Sequence, residues 1–120
     1  MVDDLKSALR DKIQNLDWMG PETRAAALKK LDELGIKIGY PDKWRDYSNL
    51  QIKAQPHVLN VLAASAFETQ RQLAKIGKPV DRTEWGMSPP TVNAYYSPTR
   101  NEIVFPAGIL QPPFFQCSSR

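Results

Sequence analysis

The chain has 120 residues, 42% hydrophobic and 24% charged, with a formal net charge of +3, which describes a globular chain rather than a disordered or membrane one. No run approaches the roughly 18 apolar residues of a membrane span, and no signal-peptide pattern opens the sequence. Lys29, Lys30, Lys37, Lys43, Arg71 and Lys75 are interleaved with Asp32, Glu33, Asp42 and Glu68, so the basic excess forms no stripe for nucleic acid.

Leu5, Leu9, Ile13 and Leu16 recur at helical spacing behind Asp3 and Asp4, which predicts an amphipathic helix ending near Asp17. Gly20-Pro21-Glu22-Thr23 restarts the chain as a helix, because proline suits the first turn and glutamate suits the positive end of the dipole. Ala25 to Leu34 continues it, and Gly35 is placed to end it in a left-handed conformation. From Ile36 to Asn49 the periodicity breaks and Gly39-Tyr40-Pro41-Asp42 reads as a turn, so a loop is expected. Leu50 and Ile52 alternate with polar residues as in a short strand.

Pro56 opens a third predicted helix reaching about Lys75, with Val58, Leu62, Ala66 and Leu73 on a buried stripe and Gly77 and Pro79 stopping it. After Pro89-Pro90 the composition turns β-favouring. Thr91 to Tyr96 and Glu102 to Phe105 flank Ser97-Pro98-Thr99-Arg100-Asn101, which predicts an antiparallel hairpin. The expected class is α+β: about three helices followed by a β-hairpin or small antiparallel sheet, in a single domain.

The chemistry available is narrow. His57 is the only histidine and no H-E-x-x-H occurs, so the two imidazoles that a catalytic zinc takes from one helical face are missing. Cys117 is the only cysteine, which leaves it without a disulfide partner in the chain, and as a nucleophile it would have to draw its activating histidine from His57. There is no glycine-rich phosphate loop, and Asp3-Asp4 and Asp32-Glu33 are helix neighbours that face different directions.

The run Thr91 to Phe115, T-V-N-A-Y-Y-S-P-T-R-N-E-I-V-F-P-A-G-I-L-Q-P-P-F-F, closely resembles the neprilysin and endothelin-converting-enzyme family of zinc metalloendopeptidases. Leu16-Asp17-Trp18-Met19 with Thr23, Ile38-Gly39-Tyr40-Pro41-Asp42, Trp44, Val80-Asp81-Arg82, Glu84-Trp85 and Met87 extend the resemblance across roughly residues 3 to 115. The resemblance implies a partial domain of a thermolysin-like catalytic lobe, lying upstream of the helix that carries the zinc-binding histidines and the catalytic glutamate. It implies zinc as the cofactor of the longer enzyme, a peptide as its substrate, and the remainder of the catalytic lobe as the partner of this segment. It also implies that Asn93 and Ala94 lie on an edge strand and hold the substrate's main chain, while Ile109 and Phe114 wall the pocket for the residue after the scissile bond. The last residues, Gln116 to Arg120, depart from the family, whose members continue with an acidic, proline-containing stretch.

Simpler roles compete residue by residue. Asn93 also suits a strand end that satisfies nearby backbone. Tyr95, Tyr96, Phe105 and Phe115 read as hairpin packing, Arg100 and Asn101 as turn residues, and Trp18, Trp44 and Trp85 as core. A non-catalytic peptide-binding module is the alternative function, and a gene that continues into H-E-x-x-H separates the two. The chain alone is expected to bind no stoichiometric zinc and to show no chelator-sensitive peptidase activity, because one histidine does not furnish the ligand set. Metal analysis and a quenched-peptide assay on the purified 120-residue chain check this.

Overall fold

The structure, a computed structural model, describes residues 1–116. Its elements are α1 (Val2–Gln14), α2 (Pro21–Asp32), β1 (Gly35–Gly39), α3 (His57–Leu73), β2 (Tyr95–Ser97), β3 (Glu102–Pro106) and a 3-10 turn over Ala107–Ile109. The chain divides into two compact units, one formed by residues 1–40 with the chain from Trp85 onward, the other by residues 41–84. Of the expected tail at 116–120, residues 117–120 lie outside the described residues.

In the first unit α1 and α2 pack together, and Val2, Ile13 and Leu31 are buried. Arg24 closes the connection between them: its guanidinium donates to the Leu16 carbonyl at 2.7 Å and the Met19 carbonyl at 3.1 Å. Arg10 of α1 pairs with Asp32 at the end of α2. Leu5 and Leu9, expected on the buried stripe of α1, are exposed.

The sheet has three strands in the order β1-β3-β2. β2 runs antiparallel to β3, with Tyr95 opposite Val104 and Ser97 opposite Glu102, which is the expected hairpin begun at Tyr95 rather than Thr91. β1 runs parallel to β3, with Gly35 opposite Glu102 and Gly39 opposite Pro106, so the sheet is mixed. The start of the loop expected over 36–49 is therefore strand. Its partner lies far along the chain, and local periodicity carries no trace of such pairing. Gly35 does not end α2; the C-cap is Glu33 with φ −79°. A Cβ on Gly35 would lie 3.1 Å from the Glu102 Cβ, so glycine serves close strand approach here.

β3 buries alternate residues: Glu102, Val104 and Pro106. Glu102 is only 3% exposed, and its carboxylate meets the Lys37 ammonium at 2.8 Å and the Arg100 guanidinium at 3.3 Å.

The second unit is built on α3, which Pro56 precedes as expected. Asn60 clamps the incoming chain, accepting from the Lys53 N–H at 3.2 Å and donating to the Lys53 carbonyl at 2.9 Å. The Leu50–Ile52 segment before it is irregular rather than a strand. No residue of α3 is buried, and Val58, Leu62 and Leu73 of the expected stripe are exposed. Trp18, at 77% exposure, and Trp44 are likewise open rather than core, while Trp85 is half-buried.

A charge cluster fastens the end of this unit. Arg71 bonds Glu68 at 2.6 and 2.9 Å and also pairs with Glu84, and Lys75 reaches both Glu84 oxygens at 2.8 Å. Hydrogen bonds from Arg71 and then Gln72 hold the Glu68 carboxyl down at about 2. Burial works against the charged form of Glu84, yet bonds from Lys75 and Arg71 outweigh it and leave this group below its ordinary value. Both groups titrate lower in the folded chain, so the stability they lend is complete above the ordinary glutamate value of 4.5 and is lost as pH falls below it, for Glu68 through about 2. The Glu68 side chain is 39% exposed, so solvent screening holds its share to about 1 kcal/mol or less. Urea midpoints of the chain are expected to fall between pH 4.5 and about 2, and Glu68→Gln is expected to flatten that fall.

Candidate functional site

Asn93 and Ala94 lead into β2, whereas Ile109 and Phe114 follow β3. Among the described residues β2 pairs only with β3, and it forms one edge of the sheet. Asn93 and Ala94 lie immediately before it, outside the strand itself; Asn93 is exposed and Ala94 half-buried. The Ala94 N–H donates to the Asn93 side-chain oxygen at 2.8 Å. A backbone N–H only donates, so Oδ1 must face it. The Asn93 Nδ2 hydrogens then point away from that bond, and Oδ1 keeps a second lone pair.

The approach to Asn93 is held at several points. The Thr91 N–H donates to the Ser88 carbonyl and the Asn93 N–H to the Thr91 carbonyl, each at 3.0 Å. Upstream, the Gly86 N–H donates to the Tyr95 hydroxyl at 2.7 Å, so Tyr95 ties its own strand to the chain that leads into it. On the other flank the Gly108 N–H donates to the Pro89 carbonyl at 2.8 Å. A Cβ on Gly108 would sit 2.5 Å from the Pro90 carbonyl oxygen and 2.8 Å from the Thr91 carbonyl carbon. Only glycine lets the 3-10 turn lie this close to the backbone two residues before Asn93.

Ile109 follows Gly108 in the same 3-10 turn and is half-buried. Phe114 lies one turn farther on, its N–H donating to the Gln111 carbonyl at 3.1 Å, and its side chain is 67% exposed. Gln111 links the two turns by donating to the Gly108 carbonyl at 2.9 Å. Tyr95, Phe105 and Phe115 are half-buried, consistent with packing, and Tyr96 is more open.

Gly86, Gly108 and the hydroxyl of Tyr95 escaped the sequence reading. The signals were present but weak: a tyrosine in a β-favouring run, and a glycine two residues after the proline that ends β3. The described residues do not fit a zinc ion. No three His, Cys, Asp or Glu among them are grouped to hold a metal, and His57 stands at the first turn of α3.

Comparison with known proteins gives a consistent picture. Sequence profiles of Peptidase family M13 match residues 1–41 and 93–119. The chain is 44% identical to an endothelin-converting enzyme homolog of Locusta migratoria and 38% identical to neprilysin-3 of Drosophila melanogaster; the matches cover 96% and 99% of this chain. It spans only 17% and 16% of the length of those relatives. Among solved structures it is similar to the Mycobacterium tuberculosis zinc metalloprotease ZMP1 in complex with an inhibitor, with 55% identity, a TM-score of 0.92, and coverage of 99% of this chain and 18% of that one. It is also similar to the Lactobacillus protein PEPO, with 33% identity, a TM-score of 0.85, and coverage of 99% and 19%.

The close approach at Gly108 generates a direct test. Gly108→Ala forces the 3-10 turn away from Pro90 and Thr91, and is expected to cost about 1 to 3 kcal/mol of stability. Urea unfolding measures the loss, and amide shifts at Thr91, Asn93 and Ala94 should move more than those in α1.

Proposed function

Since the chain belongs to peptidase family M13, we propose that it works as the substrate-side segment of a longer zinc-dependent metalloendopeptidase, in which Asn93 and Ala94 hold the main chain of an extended peptide. One observation carries this reading: Asn93 stands exposed at the mouth of an outer strand, with its amide polarity set by the Ala94 N–H. An outer strand accepts an extended peptide as a further strand, using main-chain hydrogen bonds for affinity and neighbouring pockets for choice of side chain. Nδ2 suits a peptide carbonyl, and the free lone pair of Oδ1 suits a peptide N–H. Ile109 and Phe114 supply apolar surface for the side chain that follows the scissile bond.

Zinc belongs to this proposal as cofactor of the whole enzyme, where it would activate the hydrolytic water. Its ligands come from outside the described residues, and the segment's own part is binding. The remainder of the catalytic lobe is the proposed partner of the apolar side chains left open on α3, among them Val58, Val61 and Leu62. Several such residues on one helix are more than isolated surface apolar positions account for.

In the zinc-loaded enzyme, Asn93→Ala is expected to lower catalytic efficiency on blocked extended peptides by about tenfold to a hundredfold, corresponding to roughly 1 to 3 kcal/mol of lost hydrogen bonding. Zinc content should stay unchanged. Wild-type efficiency on several peptides, or loss of metal from the folded variant, would remove Asn93 from the binding role.

A further inference from the structure

The loop between β2 and β3 needs one residue in the left-handed region, and Asn101 fills it with φ +49°. Asparagine tolerates that conformation better than most residues, but glycine would serve it with less strain. What glycine lacks is the side chain, and here both ends of that side chain are engaged.

The Asn101 Nδ2 donates to the Lys30 carbonyl at 2.8 Å, and Oδ1 accepts from the Tyr96 hydroxyl at 3.1 Å. Lys30 lies in the last turn of α2, where the helix ceases to supply every carbonyl with an N–H four residues ahead. The Lys29 carbonyl is taken by the Glu33 N–H and the Leu31 carbonyl by the Leu34 N–H; Asn101 supplies the donor for the one between them. The Asn101 carbonyl accepts the Gly35 N–H at 2.8 Å, where β1 begins. One residue therefore joins the end of α2, the start of β1, the hairpin loop and the middle of β2.

We propose that Asn101 is a positioning residue for peptide binding: its side-chain amide holds the β2 edge, through Tyr96, at a fixed place relative to α2. The amide has a forced polarity. The Lys30 carbonyl only accepts, so the nitrogen faces the helix and the oxygen faces the strand. The phenol of Tyr96 then donates, and the strand's middle residue is tethered three positions after Asn93. Aspartate keeps the Tyr96 contact but loses the donor and brings a negative charge to the negative end of α2. Glycine keeps the backbone and loses both contacts.

The inference rests on the peptide-binding reading of Asn93, so the test separates the two. Steady-state kinetics are measured on the zinc-loaded enzyme with a blocked extended peptide, for Asn93→Ala, Asn101→Gly and Tyr96→Phe side by side, together with zinc content and urea midpoints. Asn101→Gly and Tyr96→Phe are expected to raise KM about three- to tenfold while kcat stays within about twofold of wild type. Tyr96→Phe removes a single hydroxyl and decides the matter if Asn101→Gly does not fold. A KM shift in Asn93→Ala without one in Tyr96→Phe overturns the role of Asn101. KM shifts in Tyr96→Phe and Asn101→Gly without one in Asn93→Ala overturn the Asn93 reading and support Asn101 as the residue that places the edge. Loss of stability with KM unchanged in both Asn101→Gly and Tyr96→Phe reduces Asn101 to a structural residue, and no effect in any variant overturns both assignments.

Discussion

The parallel pairing of β1 with β3 is the constraint from which the first unit is built, because it brings the end of the helical pair to the segment that carries the candidate site. It depends on two unusual accommodations at one point. Gly35 removes the side chain that would press on Glu102, and Lys37 with Arg100 neutralises the Glu102 carboxylate inside the structure. A buried ion pair is weak evidence of net stabilisation, since both charges have left water. Removing one partner is another matter, because the stranded charge costs about 3 to 5 kcal/mol. Glu102 is thus less a source of stability than a fastener that makes other registers unfavourable: sliding β1 by one residue would take Lys37 off the carboxylate and set a side chain where Gly35 stands.

β3, held in this way, organises what surrounds it. Val104 and Pro106 are fully buried on the face that Glu102 shares, and β2 is left as an outer strand only three residues long. Short outer strands flanked by proline resist uncontrolled pairing with other chains, which is how an edge stays available without becoming a site of aggregation. Pro89 and Pro90 enter this edge on one side and Pro98 leaves it on the other. The Pro89 carbonyl is satisfied by Gly108, and Tyr95 fixes the chain at Gly86. The backbone leading into β2 is thus tied at two points, and on the proposed reading such pre-ordering lowers the cost of binding an extended peptide.

The helices were legible because their signals are local. Pro21 in the first turn of α2 and Pro56 ahead of α3 mark starts that the structure keeps. β1 was not legible, because Gly35-Ile36-Lys37-Ile38-Gly39 becomes a strand only through pairing with residues far along the chain. Leu50 and Ile52 show the reverse case: an alternating pair that joins no strand among the described residues stays irregular, with the Leu50 N–H donated to the Tyr47 carbonyl and the neighbouring Lys53 held by Asn60. The stripe on α3 and the tryptophans Trp18 and Trp44 had the pattern of buried residues and are exposed. Their pattern is nonetheless informative, since a chain spanning about a sixth of its relatives' length carries apolar surface whose cover it need not contain. Asn93 and Ala94 were found by resemblance alone; spacing and composition do not single out an asparagine before a short strand.

Asn93 and Asn101 share a chemical logic that explains why an amide, rather than a carboxylate, stands at each position. In both, a backbone group of fixed sense sets which way the amide points: the Ala94 N–H takes the oxygen of Asn93, and the Lys30 carbonyl takes the nitrogen of Asn101. A carboxylate has no nitrogen to offer, so at Asn101 it would leave a helix-end carbonyl unserved, and at Asn93 it would present only acceptors to an incoming chain. On the proposed reading, that difference has a consequence for specificity. Peptide main chains carry a carbonyl and, proline apart, an N–H at every residue, so an amide at Asn93 recognises extended backbone with little regard to sequence. Discrimination then falls to the apolar surface of Ile109 and Phe114, where a single methylene changes binding by only about 1 to 3 kcal/mol. Under that proposed role, such an edge would read backbone first and leave the choice of side chain to the apolar surface beside it.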